Sequence, residues 1–466
     1  MKSHVVALGF DVGSGGTRAA LVDARGRTLA ARSGPPRNRA WWTQVTAEDL
    51  FDEMAGLAKG LLADLAERPD IRSIGVGALG PTPVPVDGAM RSLFPLSPYS
   101  LDPADLGVRR RRGSRADTDD PWLKLLRWRK TERSTWRRVA SVVDLTGYLV
   151  GRLIGRPIMD TVTAADYRRA SREGVPLPVA VDPLTVVGTL DRNGAGALGL
   201  SVGIPVVAGT YDSYVDLFGA GVRRAGARGV VLGSTLVVAL AIDEPGEAIA
   251  PPGLRLVDGP GGCWLVAGWT SAAGLALEWA RRKLGLDPVG PSLLAEVGRL
   301  IPGEAGLLAL PYLAGERSPV WDPSARGALV GLRLGTTRLE IYRAFLDAVA
   351  LSALDLADRL EEERPDRGAW RATGGGVWDA AWLTATVDAL GTPLLTIAAP
   401  PGAAAAVVAW RGVGVEVELP VDRRLEPDLA RHARYRSLLP LYRDLHRRLR
   451  PVVRSLASAS TPRRES

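Results

Sequence analysis

A chain of 466 residues has room for two or three domains, and 46% hydrophobic with 24% charged residues excludes wholesale disorder. Of the 59 basic residues behind the net charge of +8, only five are lysine, an arginine skew that reads as codon usage rather than as a binding surface. One cysteine, Cys263, excludes an intrachain disulfide framework and a Cys-type zinc site, and His4, His432 and His446 build no nucleophilic triad or His–metal cluster, so catalysis falls to carboxylates, backbone amides and bound ions.

The chain opens on an apolar strand, Val5 to Phe10, too short for a signal peptide and running straight into Asp11. Asp11-Val12-Gly13-Ser14-Gly15-Gly16-Thr17-Arg18 then leads into a second strand, Ala19 to Val22. Strand, glycine-rich turn, strand is neither a P-loop nor a dinucleotide fingerprint, because no helix follows. Glycines and small hydroxyls here aim several backbone N–H groups at one point, a nest that suits phosphate, and Asp11 would hold a divalent cation against it through water. A plain hairpin turn is the other reading of the same residues. Thr46 with Asp49 forms a capping box, and Leu50, Met54, Leu57, Leu61 and Leu65 predict a helix over 48–66.

A strand from Ile74 to Leu79 ends in Gly80-Pro81-Thr82, and a hairpin is predicted over 84–94. The run Arg109–Arg112 with Arg115 reads as a solvated loop, and without interleaved aromatics it is no nucleic-acid groove. Helices are predicted over 121–130 and 136–153, and the segment 168–190 reads as loop. The chain's focal stretch is Ala208-Gly209-Thr210-Tyr211-Asp212-Ser213, after the buried strand Ile204 to Val207. An aspartate on such a loop packs nothing and must be desolvated, which suits a general base; a capping Asp is the bland alternative. Small residues at Phe218-Gly219-Ala220-Gly221 allow close approach to another backbone.

A second cycle follows: Val230 to Leu232, the turn Gly233-Ser234-Thr235, then Leu236 to Ile242. This repeat of strand, Gly/hydroxyl turn, strand points to internal duplication. Ser271 is predicted to cap a helix ending at Gly285, and Thr337 with Glu340 to cap a long helix to about Glu361. Ala372-Thr373-Gly374-Gly375-Gly376 precedes a helix from Trp378 to Leu390, a place where a flat or anionic ligand can approach the backbone. The uncharged stretch Leu394 to Trp410 is broken by Pro400-Pro401-Gly402, which argues against a membrane span, and a cytoplasmic location is expected.

Taken together, these stretches resemble the FGGY carbohydrate kinases, especially the xylulokinase and ribulokinase types, from Val5 to about Trp410. The most specific match is Gly315-Glu316-Arg317-Ser318-Pro319 through Asp322 to Leu332, similar to the family's C-terminal signature. The resemblance implies an α/β, actin-like (ribonuclease H-like) fold of two duplicated domains with mixed sheets flanked by helices. The domains would be 1–222, with the sugar site, first phosphate hairpin and base, and 223–452, with the second hairpin and adenosine pocket, followed by a disordered tail, 453–466. ATP and Mg²⁺ would be the cofactors, with the sugar in a cleft. Asp212 would be the catalytic base and Asp11 the metal residue. Gly13, Ser14, Thr17, Arg18, Gly233, Ser234, Thr235, Gly374, Gly375, Gly376 and Trp378 would meet the nucleotide. Trp42, Gln44, Thr82, Asp102, Tyr211 and Asp212 would meet the sugar. The expected partners are a small sugar and, by resemblance alone, a second copy in a homodimer; neither nucleic acid nor membrane is expected.

The departures fall on the sugar side. Leu79-Gly80-Pro81-Thr82 stands where xylulokinases usually carry a Gln-Met-His-Gly-like stretch, Ala104 where an Arg is expected, and Gln44 where Glu is common. Trp378-Asp379 replaces a frequent Lys and small polar residue, and Pro401 alters the lead into the small-residue helix. The phosphate and base elements are kept while the sugar contacts change, which leaves the substrate more open than the reaction. A ketopentose such as D-xylulose or D-ribulose is the expected acceptor; another polyol, or a catalytically reduced nucleotide- or sugar-binding regulator, is the alternative.

Overall fold

The N-terminal apolar run forms the strand Val5–Gly13, with Val6, Ala7, Leu8 and Phe10 fully buried. Burial on both faces suits a central strand. It pairs antiparallel with Gly16–Asp23 and, on its other side, parallel with Asp70–Ala78. The computed structural model describes residues 4–35, 45–97, 120–245, 250–287, 290–361 and 368–460. They divide into two compact units: Met1–Arg223 with Val257–Trp264 and Ala399–Pro420, and Arg224–Leu256 with Leu265–Ala398 and Val421–Ser466.

The first unit is built on a sheet ordered Thr28–Ser33, Gly16–Asp23, Val5–Gly13, Asp70–Ala78, Pro205–Val207, Val186–Thr189, with Thr210–Tyr211 also paired to Asp70–Ala78. The second carries Trp264–Trp269, Leu236–Ile242, Arg228–Leu232, Trp370–Thr373, Leu394–Thr396 and Arg423–Leu425 in that order. Strand senses agree as well. Each sheet has an antiparallel hairpin, two parallel partners in succession, and an antiparallel final pair. The duplication expected from two short turns is thus a duplication of sheet topology.

In the first unit a helix from late in the chain, Ala403–Gly412, covers the sheet. Its small residues let backbone meet backbone. A β-carbon on Gly9 would lie 2.1 Å from the Gly402 carbonyl oxygen, and one on Gly75 would lie 2.2 Å from that of Ala405. Trp410 anchors the end by donating its indole N–H to Val22 O at 2.9 Å. The same close approach recurs at Gly219, where a β-carbon would sit 2.5 Å from the Ala404 methyl.

Several local expectations give way to tertiary pairing. The stretch predicted as one helix over 136–153 splits into the strand Ser141–Asp144 and the helix Leu145–Ile154. Val142 and Val143 are β-branched and fully buried, and they pair antiparallel with Pro83–Val86. On the other edge of Pro83–Val86 the hairpin predicted over 84–94 is kept, with the Leu93 N–H on Pro85 O at 3.0 Å, the Asp87 N–H on Arg91 O at 3.1 Å and a bridge from Val86 to Ser92. The segment 168–190 is not loop: it holds the helix Arg168–Arg172 and the strands Ala180–Val181 and Val186–Thr189. The helix predicted from Ser271 starts at Gly274 instead, after Ala273, whose backbone at φ −126° and ψ −82° is not helical. The last helix, Leu429–Ser460, runs through 453–460, where a disordered tail was expected; that stretch has no glycine or proline to stop it. No helix among the described residues is long and apolar enough to cross a membrane, and Leu394 to Trp410 divides into a strand and a helix.

Candidate active site

The first hairpin is fixed by its own register. Gly13 faces Gly16 across the turn, and Asp11 faces Arg18, whose guanidinium donates to Asp11 Oδ2 at 2.9 Å. Thr17 is fully buried, while Ser14 and Arg18 are partly open. Asp212 is the first residue of the helix Asp212–Gly219, immediately after the strand Thr210–Tyr211, so it sits at a strand-to-helix junction rather than on a free loop. Its Oδ1 accepts the Ser213 N–H at 2.7 Å. Gly209 makes the junction possible. Its φ is +67°, and a β-carbon there would lie 2.0 Å from Val76 O. Thr210 is held in turn by donating its hydroxyl to Asp160 Oδ1 at 2.8 Å.

These constraints bring three charged groups to one point. A β-carbon on Gly13 would lie 3.3 Å from Arg18 Nη1, 3.4 Å from Asp11 Oδ1 and 3.5 Å from Asp212 Oδ2. The sequence reading missed a fourth group. Asp216, one helical turn after Asp212, is pushed well above the usual carboxylate range by burial and by the charges of Asp11 and Asp212. The Asp-x-x-x-Asp spacing was the available signal, since residues four apart share a helix face.

The residues expected to touch sugar are placed less openly. Tyr211 is buried and donates its hydroxyl to Asp166 at 3.2 Å. Its ring lies against Gly80, where a β-carbon would come within 1.8 Å of Tyr211 Cε1. Thr82 is only 2% exposed, and its N–H donates to Asp144 Oδ2 at 2.8 Å. Trp42, Gln44 and Asp102, with Ala104 and the Arg109–Arg115 run, lie outside the described residues. Asp144 and Asp160, both missed from sequence, are buried beside this region. Burial pushes Asp144 up to about 8 and Asp160 up to about 6 against the hydrogen bonds that favour their ionised forms.

In the second unit, Gly233-Ser234-Thr235 closes its hairpin with the Gly233 N–H on Thr235 O at 3.0 Å. The carbonyls of Gly233 and Ser234 accept the N–H groups of Gly274, Ala273 and Leu275, which begin the helix Gly274–Lys283. Gly374 lies against the strand that feeds this hairpin: with φ +91°, its β-carbon would meet Leu232 O at 2.7 Å. The two glycine turns are therefore neighbours at the carboxyl ends of adjacent parallel strands, a favoured place for ligands in α/β sheets. Gly375 faces open space, Gly376 packs under Trp382, and Trp378 is exposed. Asp379 caps the helix Ala380–Leu390 by accepting the Trp382 N–H at 3.0 Å.

The Gly315–Pro319 signature braces this turn. Buried Glu316 accepts the N–H groups of Ser271 and Arg317 at 2.7 and 2.8 Å. Arg317 donates to Thr270 O at 2.6 Å, and Thr270 Oγ1 accepts the Leu236 N–H at 2.9 Å. Burial pushes Glu316 up to about 8.

Among the described residues no group of three or more His, Cys, Asp or Glu side chains can hold a metal ion. A magnesium ion that arrives with a nucleotide needs no such cage. One carboxylate, here Asp11, with phosphate oxygens and water is a sufficient donor set.

Comparison with known proteins bears on the same elements. Residues 229–409 match the C-terminal domain of the FGGY family of carbohydrate kinases. The chain is 30% identical over 253 residues to the glycerol kinase of Alkalilimnicola ehrlichii, covering 51% of this chain and 48% of that protein. It is 26% identical over 290 residues to the xylulose kinase of Staphylococcus epidermidis, covering 60% and 58%. The matched stretches thus span about half the length of these curated relatives. The ligand-bound xylulose kinase of Lactobacillus acidophilus shares the fold with a TM-score of 0.81 at 21% identity, over 96% of this chain and 98% of that one. Residues 229–409 are thus similar to the C-terminal domain of the FGGY carbohydrate kinases, and the chain shares the actin-like fold of the xylulose kinase structure.

Proposed function

We propose that this chain transfers the terminal phosphoryl group of ATP to a hydroxyl of a ketose or related polyol, with a ketopentose such as D-xylulose or D-ribulose as the first candidate. The observation that carries the reading is the meeting of Asp11, Arg18 and Asp212 around Gly13. A turn of small residues beside a carboxylate and a cation suits a phosphoryl group. A second carboxylate within reach of the same point suits the proton of an attacking hydroxyl. Asp212 takes that proton. Gly13, Ser14, Thr17 and Arg18 hold the transferred group, while Gly233-Ser234-Thr235 and the Gly374–Gly376 turn with Trp378 hold the nucleotide. Asp11 would hold magnesium, which when bound neutralises phosphate charge. Catalysis is then mostly positioning and charge stabilisation.

Glycerol is the second acceptor to consider, because a glycerol kinase is among the relatives at 30% identity. Tyr211 and Thr82 are proposed to shape the acceptor side through the backbone they pack against, since both are buried. Trp42, Gln44 and Asp102 are proposed to complete it. The test is ADP release from Mg²⁺-ATP with xylulose, ribulose, other ketoses, glycerol and erythritol, each against a control without acceptor. Strong stimulation by one compound supports the kinase reading and names its substrate. Measurable ATP binding with no stimulation by any compound favours the regulatory alternative.

A further inference from the structure

Two buried titratable side chains grip consecutive peptide units of one loop. Lys124 is 2% exposed and donates its ammonium to Pro81 O at 3.1 Å. Asp144 is 1% exposed and accepts the N–H of the next residue, Thr82, at 2.8 Å. Tyr167, fully buried, donates its hydroxyl to the same Asp144 oxygen at 2.8 Å. Burial pushes Asp144 up to about 8, against the hydrogen bonds from Thr82 and Tyr167 and the nearby Lys124 charge. The loop so held, Gly80–Thr82, lies under the ring of Tyr211, the residue before Asp212.

We propose that Lys124 and Asp144 are positioning residues that fix the Gly80–Thr82 loop and thereby set which polyol the site accepts, an inference that rests on the kinase reading above. Burying both a lysine and an aspartate is costly, and the outlay is repaid only where their geometry matters. Both are almost wholly buried, so neither hydrogen bond is a chance surface contact. Two further atoms show what the grip costs. Asp144 Oδ1 and Thr82 Oγ1 are buried with no hydrogen-bond partner among the described residues. Unsatisfied buried polar atoms are rare in folded proteins, so this grip holds the loop's geometry at a cost in stability. The loop is Gly80-Pro81-Thr82, all short or ring-closed residues, so its backbone geometry does most of the shaping.

The experiment compares wild type with Lys124→Met and Asp144→Asn. Initial rates are measured over the acceptor panel, alongside hydrogen exchange of a peptide spanning 79–84. Lys124→Met is expected to raise the acceptor KM about 10–100-fold and to narrow the differences between acceptors, with the ATP KM within about 2-fold of wild type. Asp144→Asn keeps an oxygen for the Thr82 N–H and should fall between the two. The 79–84 peptide should exchange faster in Lys124→Met while peptides of the second unit do not change. A parallel rise of both KM values with a lowered melting temperature would mean a merely structural pair and overturn the proposal. So would unchanged exchange at 79–84. If the wild type phosphorylates nothing, the kinase reading fails on its own, and the exchange data still decide whether the pair holds the loop.

Discussion

Asp212 is the residue on which the proposed chemistry turns, and its setting makes a sharp test available. Asn keeps its size and its ability to accept the Ser213 N–H, yet it cannot take a proton. Asp212→Asn should therefore lower turnover by about 10²–10⁴ with ATP affinity and melting temperature kept. A near-normal rate would remove Asp212 from the role of base. Gly209 makes the complementary case for backbone. At φ +67° and with Val76 O 2.0 Å from any β-carbon, Gly209→Ala must either move the strand Asp70–Ala78 or displace Asp212. A loss of roughly 2–4 kcal/mol in urea unfolding is expected, with activity falling further than stability alone explains. The focal Asp was legible because a carboxylate just after a buried apolar run is chemically conspicuous. Asp216 was not, because its meaning depends on Asp11, far away in sequence and brought near only by the sheet.

The same contrast holds between elements. Each strand, Gly/hydroxyl turn and strand was legible because hairpin chemistry is local. The capping boxes at Thr46/Asp49 and Thr337/Glu340 likewise closed as read, since all their atoms lie within one turn. What stayed hidden was pairing across distance. The strand Ser141–Asp144 looked like part of a helix until Pro83–Val86 lay beside it, and Lys124 and Asp144 converge only through that pairing. The signature segment shows how a motif can matter without touching a ligand. Its Glu316 staples Ser271, and its Arg317 holds Thr270 against the second hairpin. Burial raises Glu316 to about 8 from 4.5, so the folded state holds its proton where the unfolded chain has released it. That contribution is complete below about pH 4.5 and is lost as pH rises through 8, at most about 1.4 kcal/mol per pH unit. Glu316→Gln mimics the protonated form. Urea unfolding should find the advantage of Glu316→Gln over wild type growing from pH 5.5 to pH 8.5, because wild type loses the stability of its protonated form across that range. Equal losses at both pH values would show that Glu316 works ionised.

At the scale of the whole molecule, the sequence order and the folded units disagree, and the disagreement has a physical cause. A boundary near residue 222 separates the two hairpins cleanly, yet the first unit also takes Val257–Trp264 and Ala399–Pro420. The second of these supplies the helix Ala403–Gly412, buried from Ala403 through Trp410. Its run of alanines reads from sequence only as a small, apolar helix. Its partner is set by two glycines more than 300 residues earlier, Gly9 and Gly75, which leave just enough room for helix backbone to lie on strand backbone. Residues 1–223 alone would expose that glycine-rich sheet face and leave Trp410's acceptor, Val22 O, without its indole partner. The burial of eight consecutive small and apolar side chains would go with it, which is a large share of a domain's marginal stability. Residues 1–223 by themselves should therefore give a loosely packed or insoluble product. The same residues joined through a flexible linker to 399–420 should unfold cooperatively in urea. Circular dichroism and tryptophan fluorescence, followed together, decide it. Coincident, sharp transitions for 1–223 alone would show that the late helix is an ornament on a sheet that folds without it. Coincidence only when 399–420 is present would mean that the first unit cannot complete its core until the chain has nearly ended.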